Sequence, residues 1–177
     1  HSMGGCILLS SLLNDENRFD SMILSAPMLG FMNEIILTSL LPLINLFFKK
    51  TSYFPLSKPN MGKETPFSEN ELTNDPIRYE RTLKLIRQKP NIRLWGVTNA
   101  WVNAAKKRLL LIRKKILEKE IKTNALIFNS INDKVVDSNK IIEICQKLKN
   151  CKIINIPETK HEIFMEKNPH RNLMWSE

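Results

Sequence analysis

The spacing of apolar residues along the chain predicts a mixture of short strands and amphipathic helices. Short apolar runs bounded by turn residues are typical of strands in a covered sheet, and they occupy residues 19–26, 125–128 and 152–156. Residues 3–13 are small and then apolar, which indicates a short buried helix after a turn.

Three further helices are predicted where apolar residues recur every three or four positions. The stretch NDPIRYERTLKLIRQ begins a helix at Pro76, with Asp75 as its cap. The other two cover residues 101–119 and 138–148. Residues 49–73 contain three prolines and a glycine, and we predict that they form a loop.

The most apolar segment, residues 28–48, has nearly the length of a transmembrane helix. Four residues interrupt it: Asn33, Glu34, Pro42 and Asn45. Since a glutamate is costly inside hydrocarbon, we expect one or two amphipathic helices that cover an apolar surface, with a membrane span as the alternative.

The order of these elements predicts an α/β protein with a helical insertion. After residue 122 the chain alternates strand, helix and strand, as parallel α/β units do. The mainly helical segment before residue 122 lies between two predicted strands. An inserted helical cap explains this arrangement. We therefore divide the chain into a first part over residues 1–29, a helical cap over 30–122 and a C-terminal part over 123–177.

The chain is basic, with a formal net charge of +9 and a pI near 9.6. Such a charge often accompanies nucleic-acid binding, but the lysines are scattered and no recognition-helix, RRM or zinc-finger pattern accompanies them. We expect no nucleic-acid partner, and weak attraction to an anionic membrane surface is the alternative.

The three cysteines, Cys6, Cys145 and Cys151, are odd in number and do not have the spacing of a metal site. We therefore predict reduced, structural thiols in a cytosolic protein. Neither a metal nor a cofactor is expected.

Three residues at predicted turns form the set that serine-based acyl transfer requires: a nucleophile, a histidine that takes its proton and an acid that orients the histidine. Ser2 lies in HSMGG, which resembles the nucleophile elbow G-x-S-x-G without its first glycine. Asp133 follows the strand that ends near Phe128, and His161 follows the strand that ends near Ile156.

Each of these residues also has a simpler interpretation. Ser2 could be a terminal residue without function, and Asp133 could be an ordinary turn aspartate. Asp137 competes for the role of the acid, although its place just before Ser138 makes it the better helix cap.

Among the three histidines, His161 has the placement that the chemistry needs. It could instead be a surface histidine, but His170 lies beyond Pro169 in a polar tail. His1 precedes the serine, and we expect it to point away from the site in an elbow.

Six stretches stand out along the chain: HSMGG, FDSMILSAPML, NDPIRYERTLKLI, WGVTNAWVNAA, NSINDKVVDS and KHEIFMEKNPHR. Together they resemble bacterial lysophospholipases of the α/β-hydrolase superfamily, in the branch of the monoacylglycerol lipases and the serine-aminopeptidase-type hydrolase domain. The resemblance runs along almost the whole chain. It implies a partial α/β-hydrolase fold, made of the last parallel strands with their helices and an inserted helical cap.

The resemblance also implies a role for each candidate residue. Ser2 would be the nucleophile, His161 the general base and then the general acid, and Asp133 the partner that orients the histidine. The backbone N–H of Met3 would be one donor of the oxyanion hole.

The implied activity is hydrolysis of fatty-acyl esters of lysophospholipids or monoacylglycerols through an acyl-enzyme, without a cofactor. Met28, Phe31 and Phe47, in the apolar segment, are candidate contacts for the acyl chain. The implied location is the cytoplasm, with peripheral contact at the inner face of an anionic membrane. Two other hypotheses stay open: a non-catalytic remnant of a split or decaying hydrolase gene, and a basic membrane-surface binding module.

Enzymes of this family have five strands and a second oxyanion donor before the serine, and nothing in this chain matches them. The sequence also stops at NLMWSE, where the family has a final helix. Since loss of one oxyanion donor alone lowers turnover by about 10²–10³-fold, we expect this chain to be the C-terminal portion of the enzyme and a poor catalyst by itself.

Overall fold

The computed structural model describes residues 1–15, 18–57 and 64–176. Within these residues three strands form one parallel sheet: β1 Ser21–Ser25, β2 Asn124–Ser130 and β3 Cys151–Ile156. Six α-helices accompany them: α1 Met3–Asn14, α2 Glu34–Phe47, α3 Pro76–Gln88, α4 Asn99–Glu118, α5 Ser138–Lys147 and α6 Asn168–Trp175.

The described chain divides into two compact units. The first consists of His1–Met32, Glu71–Asp75 and the chain from Arg108 onward, and it contains the whole sheet. The second consists of Asn33–Asn70 and Pro76–Lys107. The cap predicted over residues 30–122 stays a proposal, because a division by compactness does not identify a cap.

In the first unit, β2 is the central strand and pairs in parallel with β1 and β3. The register places Ser25 beside Phe128 and Ser130 beside Ile156, so all three strands end at one edge of the sheet. Helix α5 provides the crossover that a parallel pair needs between β2 and β3. The loops that follow the three strands therefore begin close together.

A buried cluster lies in this unit, toward the same edge of the sheet. Its members are apolar residues of the strand ends and of the chain after β3: Ala26, Phe128, Ile156, Ile163 and Met174. In β3 only the last residue, Ile156, is fully buried. The cluster supports the strand ends from which the site is built.

The second unit has its own smaller core, made of Leu41, Ile44, Phe54 and Val102. Most other apolar side chains of α2 are exposed: Ile35, Ile36, Leu40, Leu43, Leu46 and Phe47. Asn45, which interrupts the apolar pattern, exchanges two side-chain hydrogen bonds with Asn103 of 2.9 and 2.8 Å. A helix is therefore confirmed for residues 34–47, whereas its amphipathic character stays a prediction, because apolar side chains are exposed as well as buried.

No helix in the described part of the chain is long and apolar enough to cross a membrane. The alternative of a membrane span at residues 28–48 is therefore not supported.

The predicted strands and helices agree with the structure to within a few residues at their ends. The predicted loop over residues 49–73 contains two short 3-10 helices, Pro55–Ser57 and Phe67–Glu69, and its residues 58–63 lie outside the described ones. Helix α6 differs from the expectation, because residues 168–175 form a helix where we expected none. Its pattern was missed because only Met174 of this helix is buried.

The prediction of three reduced cysteines is wrong, because Cys145 and Cys151 form a disulfide bond. Cys145 lies in the last turn of α5 and Cys151 begins β3, so the short turn between them brings their Cα atoms to 5.5 Å. This separation lies within the range that a disulfide requires. Cys6 remains a free thiol and is buried.

Two adjacent glycines in α1 provide a test of how closely this helix packs against Pro27. A Cβ atom at Gly5 would lie 2.5 Å from Cβ of Pro27, a rigid ring, whereas a Cβ at Gly4 meets no atom within 4 Å. We expect Gly5→Ala to lower the free energy of unfolding by about 1–3 kcal/mol through overpacking. Gly4→Ala should raise it by about 0.5–1 kcal/mol, because alanine suits a helix better than glycine. Urea unfolding followed by circular dichroism measures both, and equal midpoints would contradict this packing.

Candidate active site

Ser2 occupies a sharp turn immediately before α1. Its φ of 50° and ψ of −122° lie in a region that residues with a side chain rarely adopt, and such a conformation costs about 1–3 kcal/mol. The turn is held by main-chain hydrogen bonds from Ser2 N to the Ser25 carbonyl (3.1 Å) and from Met28 N to the Ser2 carbonyl (2.9 Å). Ser2 is thereby fixed at the end of β1, as a nucleophile elbow requires.

His161 lies in the loop after β3, and its ring contacts both other candidate residues. Nε2 is 3.0 Å from Oγ of Ser2, and Nδ1 is 2.7 Å from Oδ2 of Asp133. Because a carboxylate only accepts hydrogen bonds, Nδ1 carries the proton in neutral His161 and Nε2 presents its lone pair to the serine. The structure thus brings together three residues separated by up to 159 positions.

Asp133 lies in the loop after β2, and its carboxylate is fully engaged. Oδ1 accepts hydrogen bonds from the backbone N–H groups of Val135 (2.7 Å) and Val136 (3.1 Å), while Oδ2 accepts from His161. The side chain is only 1% exposed. These three donors compensate a charge that burial would otherwise disfavour.

Asp137, the competing acid, has a different structural role. Its Oδ1 accepts hydrogen bonds from the backbone N–H groups of Asn139 (2.9 Å) and Lys140 (3.3 Å) at the start of α5. It is therefore the helix cap that its position before Ser138 predicts. His170, the other histidine considered for the site, lies in α6.

The loop that carries His161 is tied to residues 71–75, a segment that we expected to belong to the cap. His161 N and Glu162 N donate to the carbonyls of Glu71 (3.4 Å) and Leu72 (2.8 Å). The fully buried Glu166 accepts from the backbone N–H of Asn74 at 3.0 Å. No local sequence pattern marks these contacts, because each joins positions about 90 residues apart along the chain.

The same carboxylate also closes the histidine loop on itself. Oε1 of Glu166 accepts from the backbone N–H of Lys160, the residue before His161, at 2.8 Å. A buried carboxylate needs such donors, and here they hold the main chain on the N-terminal side of the histidine.

The expectation that His1 points away from the site is wrong. Its ring centroid lies 4.7 Å from that of His161. Nδ1 is 3.0 Å from the Ser25 carbonyl oxygen, and Nε2 is 3.2 Å from Oε1 of Glu162. The turn at Ser2 directs the preceding side chain back toward the histidine loop, which a local sequence pattern does not show.

These contacts change the ionisation of both partners. Burial by itself lowers the pKa of His1, but hydrogen bonding to Glu162 and its negative charge outweigh burial, so the pKa of His1 is raised. Hydrogen bonding to His1 lowers the pKa of Glu162, against the effect of burial. The raised pKa of His1 and the lowered pKa of Glu162 both favour an ion pair between the two side chains beside His161.

The remaining predicted residues lie in different surroundings. Met3 is the first residue of α1, and Met28 is buried. Phe31 forms an isolated bridge with Val136 in the first unit, whereas Phe47 is 72% exposed in the second. Their roles as oxyanion donor and as acyl-chain contacts stay predictions.

Comparison with known proteins identifies the family of the chain. The family model described as "Serine aminopeptidase, S33" matches residues 1–168. The chain therefore belongs to this family of α/β-hydrolases, and its parallel sheet with helices is a partial α/β-hydrolase fold.

One curated relative is lysophospholipase L2 of Escherichia coli strain K12, which is 25% identical over 184 residues. The match covers 98% of this chain and 53% of that protein. The chain thus spans about half the length of the curated relatives that it matches.

Two solved structures share the fold. A monoacylglycerol lipase from Paleococcus ferrophilus has a TM-score of 0.74 at 14% identity, over 99% of this chain and 63% of that one. A monoglyceride lipase from Saccharomyces cerevisiae has a TM-score of 0.70 at 18% identity, over 99% and 57%. At these identities the likeness concerns the fold alone.

The two aspartates provide a matched test of the acid. In the protein that carries this chain, Asp133→Asn should slow fluorophosphonate labelling of the serine by about 10³–10⁴-fold, because the amide no longer holds the required histidine tautomer. Asp137→Asn should label at the wild-type rate and keep its stability, since asparagine caps a helix as well as aspartate does. Labelling time courses on both variants measure this, and equal rates would contradict the assignment of Asp133.

Proposed function

We propose that the chain carries the acyl-transfer residues of a serine ester hydrolase that cleaves fatty-acyl esters of lysophospholipids or monoacylglycerols. The observation that carries the proposal is the continuous hydrogen-bond chain from Ser2 Oγ through His161 to Asp133. Distances of 3.0 and 2.7 Å are those at which a proton passes directly between heavy atoms.

The proposed reaction follows from the hydrogen bonds that join Ser2 to His161 and His161 to Asp133. Oγ of Ser2 attacks the ester carbonyl carbon while its proton moves to Nε2 of His161. The tetrahedral intermediate collapses as Nε2 returns the proton to the leaving alcohol, which is glycerol for a monoacylglycerol and a glycerophosphodiester for a lysophospholipid. Water then attacks the acyl-enzyme with the same base, releasing the fatty acid and restoring the serine.

Asp133 and the start of α1 stabilise the charges that arise during these steps. The carboxylate of Asp133 lies against Nδ1 and favours the imidazolium form that His161 adopts transiently. Ser2 is at the N-terminus of a 12-residue helix, whose dipole favours a negative oxygen. The N–H of Met3 is the proposed donor to that oxygen.

The substrate class is supported by the relatives and by apolar surface. One relative is named a lysophospholipase, and two proteins of similar fold are named monoacylglycerol or monoglyceride lipases. Exposed side chains of α2, including Phe47, offer apolar contacts that a long acyl chain requires. Met28 and Phe31 are the proposed contacts in the first unit.

The exposed face of α2 also supports contact with a membrane surface. Ile35, Leu46 and Phe47 are all largely exposed, and Lys49 and Lys50 follow the helix directly. Apolar side chains beside lysines suit the interface of an anionic bilayer. We propose peripheral contact of this kind with an anionic membrane surface.

A direct assay on the protein that carries this chain tests the function. We expect release of fatty acid from lysophosphatidylcholine or from a 1-monoacylglycerol. Ser2→Ala should lower this release by about 10³-fold or more, because the nucleophile is absent. Titration of the released fatty acid measures both rates.

Two outcomes of the assay would overturn the proposal. Equal release by the Ser2→Ala variant would remove Ser2 from the mechanism. A folded wild-type protein that cleaves neither lipid would favour the alternative, a non-catalytic remnant that has kept the side chains of the site.

A further inference from the structure

His1 is held by two hydrogen-bond acceptors, one at each ring nitrogen. Nδ1 faces the carbonyl oxygen of Ser25 at 3.0 Å, and Nε2 faces a carboxylate oxygen of Glu162 at 3.2 Å. A neutral imidazole has only one N–H, so it would point a lone pair at one of these oxygens. Both contacts are favourable only when His1 is an imidazolium that donates from both nitrogens.

His1 and Glu162 are the sequence neighbours of the two residues that exchange a proton. His1 immediately precedes Ser2, and Glu162 immediately follows His161. The contact between them therefore joins the serine turn to the histidine loop, one residue away from each reacting group. The ring of His1 also packs against that of His161, with a centroid distance of 4.7 Å and an angle of 54° between the planes.

We propose that His1 and Glu162 form an ionic clamp that positions His161 against Ser2. The proposal rests on the proposed ester hydrolase function and assigns two positioning residues to it. His161 needs such support because its hydrogen bonds to Ser2 and Asp133 hold the edge of the ring, whereas the contact with His1 limits its rotation. An error of about 1 Å at a reacting atom lowers a rate by about 10²-fold.

The clamp also adds no net charge beside the catalytic histidine. A lone imidazolium at His1 would oppose the positive charge that His161 acquires during the reaction, and the carboxylate of Glu162 balances it. Among the described residues, the titratable groups that face His1 are Glu162, Asp133 and His161.

The ionisation of the pair defines the pH range in which the clamp is closed. The pKa of His1 is raised above 6.5, so its contribution is complete below that pH and is lost as the pH rises through the raised value. The pKa of Glu162 is lowered below 4.5, so its contribution is complete above that pH and is lost as the pH falls through the lowered value. Both side chains therefore carry their charges between pH 4.5 and 6.5. The pH range of the ion pair reaches up to the raised pKa of His1 and down to the lowered pKa of Glu162.

Nuclear magnetic resonance of ¹⁵N-histidine tests the clamp without requiring activity, since the chain has three histidines. We expect both ring nitrogens of His1 to have imidazolium shifts and a titration midpoint above pH 6.5. Glu162→Gln should lower this midpoint, because the side chain keeps its size and loses the negative charge that raises the pKa of His1. Glu158→Gln is the matched control, since Glu158 is an exposed carboxylate of the same loop, and it should leave the midpoint unchanged.

Steady-state kinetics on the same variants test the positioning role. Glu162→Gln should lower kcat by about 10- to 100-fold with KM unchanged, since the clamp acts on the reacting groups and does not contact the substrate. On the basic side of the pH profile, the activity of this variant should begin to fall at a lower pH than the activity of the wild type. Glu162→Asp, which keeps the charge, should recover part of kcat, and Glu158→Gln should retain all of it.

The two measurements separate failure of the clamp from failure of the proposed function. An ordinary midpoint for His1, or an unchanged kcat in Glu162→Gln while the wild type is active, overturns the clamp alone. A wild type that shows the ion pair by resonance and cleaves no ester overturns the proposed function, and the positioning role with it. Unchanged signals of His170, which lies in α6, show that the Glu162→Gln variant is folded.

Discussion

The hydrogen bonds at the two nitrogens of His161 determine the arrangement of the site, because they fix one ring between a serine and an aspartate that lie far from it in sequence. They form only if the turn at Ser2 and the loops after β2 and β3 lie at the same edge of the sheet. The parallel register of β1, β2 and β3 provides this edge. The loops after β2 and β3 carry Asp133 and His161, and the end of β1 holds Ser2 through its main chain.

The conformations of these loops depend on hydrogen bonds to buried carboxylates. Asp133 receives two backbone N–H groups besides the histidine, and Glu166 receives those of Asn74 and Lys160. Since an unpaired buried carboxylate costs far more than an exposed one, each of these groups stabilises one conformation of its loop. The strained turn at Ser2 is the complementary feature: the surrounding hydrogen bonds maintain a conformation that serine would not adopt by itself.

The parts of the site that follow from local patterns could be predicted from the sequence. Asp133 and His161 were found because each directly follows an apolar run that ends at a turn, and Asp137 was separated from Asp133 by its position before a helix. The disulfide and the contact of His1 with Glu162 could not be predicted in this way. They depend on the direction in which a turn places a side chain, and no period in the sequence encodes that direction.

Identification of the residue that a serine-directed probe modifies tests the central claim most directly. The protein that carries this chain would be treated with a fluorophosphonate, digested and analysed by tandem mass spectrometry. The account predicts that the phosphonate mass lies on Ser2, and that prior loading with a lysolipid substrate reduces it. Modification of a different residue, with Ser2 recovered unmodified from active protein, would contradict the account.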